Sequence, residues 1–200
     1  AHPVGYWQGE FDLAARSGLD SIEFILDFED VEQNPLLRAG GVEEILQISC
    51  QTGVAVQTVC ADYFMEAQLH HLDGVVAAQG ETVLRRLMKV GVQLGLRDIV
   101  LPCVDQSSIR EPAAAALLVE RLSPLLEEAD IAQVNLCLET DLAPEPFAEM
   151  LARLDCERVT VNYDTGNSAA LGYDPQEELS CYGDRITDIH LKDRTSGGGS

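Results

Sequence analysis

Three strand-like runs in the last third of the chain each end on a side chain able to bind a metal ion. They read Val134-Asn135-Leu136-Cys137-Leu138-Glu139, Val159-Thr160-Val161-Asn162-Tyr163-Asp164 and Ile186-Thr187-Asp188-Ile189-His190. Two carboxylates and an imidazole form an oxygen/nitrogen donor set suited to a divalent ion such as Mg, Mn, Co or Zn. Glu139, Asp164 and His190 stand 25 and 26 residues apart. No local turn gathers residues at that distance, whereas a repeated strand–helix unit does. The alternative is that each residue separately caps or ends its own strand.

The elements that must position these residues follow from hydrophobic periodicity. Trp7, Phe11, Ala14 and Ala15 share one face of a helix from Tyr6 to Ser17, and Gly18 stops it. Leu19 to Leu26 reads as strand, Asp27 to Glu32 as an acidic loop, and Gly41 to Thr52 as a second helix. Val54 to Cys60 is strand, Leu69 to Gly74 loop, Glu81 to Leu94 helix and Arg97 to Cys103 strand. Pro112 opens a helix to Leu122, and Pro124 kinks or restarts it. Ile131 to Leu138 is strand, Leu142 to Leu154 helix, Val159 to Tyr163 strand, and Thr165 to Tyr173 a polar connection. Asp174, Pro175 and Glu177 open another helix in capping-box form, and Arg185 to Leu191 is the last strand.

Strand–helix alternation of this kind means a parallel sheet, open or closed. Polar residues stand at or near nearly every strand end: Glu23, Asp62, Asp105, Glu139, Asp164 and His190. An open doubly wound sheet concentrates its ligands at one crevice, whereas a β/α barrel presents every strand end at one rim. The barrel fits better. Neither G-x-G-x-x-G nor G-x-x-x-x-G-K-[ST] occurs, so a nucleotide fold lacks its usual support. A full (β/α)8 barrel has eight strands; six are legible here, and the first and last are expected to be missing from this sequence.

The 200 residues suit one domain with a sizeable core. A net charge of -21, from 34 acidic against 13 basic residues, argues against a nucleic-acid or anionic-membrane partner. No apolar run is long enough to cross a bilayer. The six cysteines form no C-x-x-C pair, and three lie inside apolar strands, which points to a reducing, cytoplasmic setting. His70 and His71 sit in a loop without a ligand partner at fixed spacing, and Trp7 reads as a core anchor. Lys192 and Arg194, just past the last strand, are the basic residues placed to meet a phosphate or a sugar hydroxyl, and the Gly197–Gly199 amides could join them. A solvated surface pair is the plainer alternative. Glu23 and Asp62 stand where they could hold a substrate hydroxyl, or as ordinary surface acids.

The stretches Leu138-Glu139-Thr140-Asp141-Leu142, Asn162-Tyr163-Asp164-Thr165-Gly166-Asn167, Leu171-Gly172-Tyr173-Asp174-Pro175 and Ile189-His190-Leu191-Lys192-Asp193-Arg194 carry a resemblance. The chain resembles the xylose isomerase-like TIM barrels, in particular the sugar phosphate isomerase/epimerase group that includes ketose 3-epimerases and endonuclease IV. The resemblance covers essentially the whole chain and specifies the superfamily better than the substrate. It implies that Glu139, Asp164 and His190 are the first three of four metal ligands, the fourth being a glutamate on a last strand that this sequence lacks. It implies that Glu139 is also the base, removing a proton beside a metal-polarised carbonyl to give an enediolate. With that second glutamate absent, the 200 residues alone are expected to turn over little or nothing. Asn167 stands where the epimerases have a histidine, and Glu145 matches a glutamate six residues after the first ligand. The implied partner is a small sugar or sugar phosphate, and copies of such barrels pair into dimers or tetramers. Three other functions remain open: an inosose (cyclic polyol) dehydratase, a non-catalytic sugar-binding barrel, and a nuclease, which the acidic charge disfavours.

Overall fold

The computed structural model describes residues 6–193. Helix α1 (Trp7–Arg16) precedes strand β1 (Ser21–Ile25), and the pattern continues with α2 (Gly41–Thr52), β2 (Ala55–Cys60), α3 (Gly74–Leu94) and β3 (Asp98–Cys103). Then come α4 (Pro112–Leu122), α5 (Leu126–Ala132), β4 (Asn135–Thr140), α6 (Pro144–Leu154), β5 (Val159–Asp164), α7 (Thr165–Leu171), α8 (Pro175–Tyr182) and β6 (Ile186–His190). All six strands are parallel, in the order β1-β2-β3-β4-β5-β6.

This sheet curls. Five interstrand spacings would hold β1 and β6 about 24 Å apart in a flat sheet. Instead His190 Nε2 at the end of β6 donates to Glu23 Oε1 on β1 at 2.9 Å. Six strands of the eight in a closed (β/α)8 barrel thus form a partial TIM barrel, with all C-terminal ends at one rim. Strands β3 and β4, in the middle, are buried along almost their whole length because helices cover one face and the barrel interior the other. Trp7 anchors α1 on β1, meeting Phe11 and Phe24 edge-on.

Three sequence expectations change. The α3 helix begins seven residues before Glu81, because Asp73 caps it by accepting from Val75 N at 2.8 Å. Gly80 lies inside this helix, where a Cβ would meet Ala67 O at 2.8 Å. The run expected as strand from Ile131 is helix to Ala132; Gln133 turns the chain at φ 56, and β4 starts at Asn135. Pro124 does restart the helix, within a short 3-10 turn between α4 and α5. The polar stretch after Asp164 is not a loop but the helix α7, capped by Asp164 itself.

At the opposite end of the barrel, Asp98 is fully buried. It accepts from Asn135 Nδ2 on β4 at 2.9 Å and from Thr187 Oγ1 on β6 at 2.7 Å, and pairs with Arg97. This contact ties β6, which carries His190, across the interior to β3. Asp98→Ala leaves these donors unsatisfied and opens a cavity, so urea unfolding should show a loss of about 2–4 kcal/mol.

Candidate metal and catalytic site

Residue Glu139 is the penultimate residue of β4, and Asp164 and His190 are the last residues of β5 and β6. Side chains alternate along a strand, so the barrel's curl turns these three inward. Their ligand atoms all lie within 4.8 Å of one another. His190 Nδ1 is 3.5 Å from Glu139 Oε2 and 4.0 Å from Asp164 Oδ2.

Each carboxylate is oriented by its neighbours. Asp164 spends Oδ1 on the amides of Gly166 and Asn167, at 2.8 and 2.9 Å, which caps α7 and leaves the buried Oδ2 turned towards His190. There Oδ2 meets Lys192 Nζ at 2.6 Å. Burial works to raise the Asp164 pKa, but Lys192 and the two amides outweigh it, and the group falls below its ordinary value. Glu139 is buried, with both oxygens held by side-chain amides: Asn167 Nδ2 donates to Oε1 at 2.6 Å and Asn162 Nδ2 to Oε2 at 2.9 Å. The neighbouring carboxylates of Glu139 and Glu23 push the His190 pKa up to about 10 against the opposing effect of burial.

The donor set fits a divalent cation. Two carboxylates and an imidazole converge in a half-buried rim, and an ammonium already sits on the inward oxygen of one carboxylate. Glu139, Asp164 and His190 would hold the ion. Beside them, Asn162 Oδ1 is buried with no hydrogen-bond partner among the described residues, an acceptor suited to a hydroxyl donor.

A cavity of about 1170 Å³ opens over the rim, and Glu23, Asp62, Glu139, Asn167, His190 and Lys192 all line it. Asp62 accepts from the Cys60 thiol at 3.3 Å, and burial raises its pKa. Glu23 reaches His190. Glu145 is not brought to this cavity. It lies exposed in the first turn of α6, beside Glu177 of α8, whose pKa its charge raises. The buried Pro144 and Phe147 set the phase of that helix and turn Glu145 outward. Arg194 and Gly197–Gly199 lie outside the described residues.

Sequence reasoning missed Asn162 as a site residue. The available signal was its position: a polar residue in an apolar strand, two before Asp164 and therefore on the same face.

Comparison with known proteins gives the same architecture. The family model described as xylose isomerase-like TIM barrel matches residues 11–200. L-ribulose-5-phosphate 3-epimerase UlaE from Escherichia coli is 27% identical over 210 residues, which takes in 98% of this chain and 72% of that protein. The structure of D-psicose 3-epimerase in the presence of D-fructose superposes with a TM-score of 0.76 at 15% identity, covering 92% of this chain and 66% of the other. A xylose isomerase-like TIM barrel protein from Mycobacterium smegmatis in complex with magnesium superposes with a TM-score of 0.73 at 18% identity, covering 95% of this chain and 67% of the other.

Proposed function

The chain belongs to the xylose isomerase-like TIM-barrel family, and from that premise we propose that it serves a divalent-metal-dependent isomerase or epimerase acting on a ketose or ketose phosphate. The observation that carries this reading is the convergence of Glu139, Asp164 and His190 at one rim, with both oxygens of Glu139 fixed by amides. The similarity to a ribulose-phosphate 3-epimerase supports a sugar substrate. A bound Mg, Mn, Co or Zn ion would supply the positive charge that acidifies a C–H bond next to a carbonyl.

The chain's own residues then do the following. Glu139 takes the proton from the carbon beside the carbonyl. Asn162 and Asn167 hold its carboxylate in one plane, so little reorganisation accompanies the transfer. Glu23, bonded to Nε2 of His190, turns the other ring nitrogen towards Glu139 and Asp164. Lys192 keeps Asp164 ionised and stands at the cavity wall for a substrate oxygen or phosphate. The six thiols are all unpaired, and we read the protein as cytoplasmic. No helix among the described residues is long and apolar enough to cross a membrane.

The test is proton exchange followed by NMR in heavy water with free ketoses, ketose phosphates and inosose, using Mg-loaded protein that also carries the last-strand glutamate. Deuterium at carbon 3 identifies an epimerase and its substrate, and deuterium at carbon 1 an aldose–ketose isomerase. Full metal occupancy with no exchange in any ketose would remove the isomerase and epimerase readings.

Protons and metal compete at His190. Its folded pKa of about 10 lies above the ordinary 6.5. The metal-free fold therefore holds that stabilisation fully below about pH 6.5 and loses it as pH rises through about 10. Metal affinity runs the other way, rising by up to about tenfold per pH unit between 7 and 9 as the displaced proton becomes easier to remove. Calorimetric titration across that range, paired with the melting temperature of the metal-free protein, checks both signs.

A further inference from the structure

Glu178, on α8, is only 3% exposed, and three hydroxyls hold it. Tyr163 OH donates to Oε2 at 2.9 Å, Ser168 Oγ makes a short bond to the same oxygen, and Tyr182 OH donates to Oε1 at 2.9 Å. Burying a carboxylate is costly, and hydrogen bonds to the charged oxygens offset that cost only when well placed. Two of these partners flank the metal site in sequence. Tyr163 directly precedes Asp164, and Ser168 directly follows Asn167.

The helix between them, α7, has seven residues, too few to hold its shape without tertiary anchors. Its orientation sets two groups at once. The α7 amides of Gly166 and Asn167 occupy Asp164 Oδ1, which leaves Oδ2 to meet His190 and Lys192. The Asn167 side chain reaches Glu139 Oε1. Only about 20 Å³ is open between α7, β5 and α8, room for about one water. A shift of α7 therefore needs the Glu178 contacts to break.

We propose that Glu178 is a positioning residue: it pins the end of β5 through Tyr163 and the body of α7 through Ser168, and so aims Asp164 Oδ2 at His190 and Lys192 and the Asn167 amide at Glu139. The inference rests on reading Glu139, Asp164 and His190 as a metal site. It adds a buried anchor that touches neither metal nor substrate.

The test compares Glu178→Gln, Ser168→Ala and Tyr182→Phe. Two quantities are measured: Mn affinity by titration followed with electron paramagnetic resonance, and hydrogen exchange of the Gly166 and Asn167 amides in the metal-free protein. Glu178→Gln and Ser168→Ala are expected to weaken Mn binding about tenfold, at the low end for partners of metal ligands, and to speed exchange at both amides. Tyr182→Phe removes a hydroxyl from the same carboxylate without touching α7 or β5. It should lower the melting temperature but leave both readouts at wild-type values. The proposal is overturned if Glu178→Gln and Ser168→Ala change stability alone, or if Tyr182→Phe shifts both readouts as far as Ser168→Ala does. If Glu178→Gln fails to fold, the contrast between the other two variants decides. If the wild type binds no Mn, the metal reading fails, and the exchange data still judge Glu178 by themselves.

Discussion

Glu139→Gln is expected to slow deuterium incorporation into the ketose by about 10²–10⁴-fold, the range typical for loss of a positioned general base. The substitution keeps the shape of the side chain and removes its charge and its basicity. Packing should survive it. One of the two amides now donating to Glu139 must turn to meet the new NH2 group, and if Asn162 turns, its Nδ2 gives up His190 Nδ1, 3.0 Å away. The metal-free protein should therefore lose the stabilisation that Glu139 gives charged His190, while exchange collapses. The check is heavy-water NMR at saturating Mg, with metal content measured in the same samples. Exchange at the wild-type rate with metal bound would show that another group removes the proton.

Asp164→Asn should have the largest effect on metal binding, a loss on the order of a hundredfold or more. Outer-shell partners of metal ligands already cost 10–100-fold when removed, and a charged ligand contributes more. The structure allows the charge to be separated from the helix cap. Oδ1 caps α7 and Oδ2 meets Lys192 beside His190, and an asparagine keeps the capping oxygen. Asp164→Ala removes both, so it should lose a further ~1 kcal/mol of stability that Asp164→Asn does not. Titration with Mn and thermal unfolding of the two variants separate these contributions. Unchanged Mn affinity in Asp164→Asn would take Asp164 out of the ligand set.

Much of the arrangement was legible in one dimension. The alternation of strands and helices is written in local periodicity, and a glutamate, an aspartate and a histidine at three successive strand ends must share a rim once the strands are parallel. Each of those inferences needs only the chain's own period and the chemistry of one side chain. They held because neither depends on distant contacts.

Of the remaining features, α7 is also local, since Asp164 caps amides only two and three residues on, a helix-start signal that the polar composition of the stretch obscured. The others come from packing that local sequence does not encode. Glu145 faces away from the cavity because the buried Pro144 and Phe147 choose the phase of α6. The meeting of Glu23 with His190, 167 residues apart, exists only because the sheet curls. The same is true of Asn162 against Glu139 and of Glu178 under Tyr163 and Ser168. By itself the sequence determined which side chains could do chemistry and at which rim they stand. Strand register, helix phase and curl decided which of them touch, because those quantities are set by packing across the whole barrel rather than by any one segment.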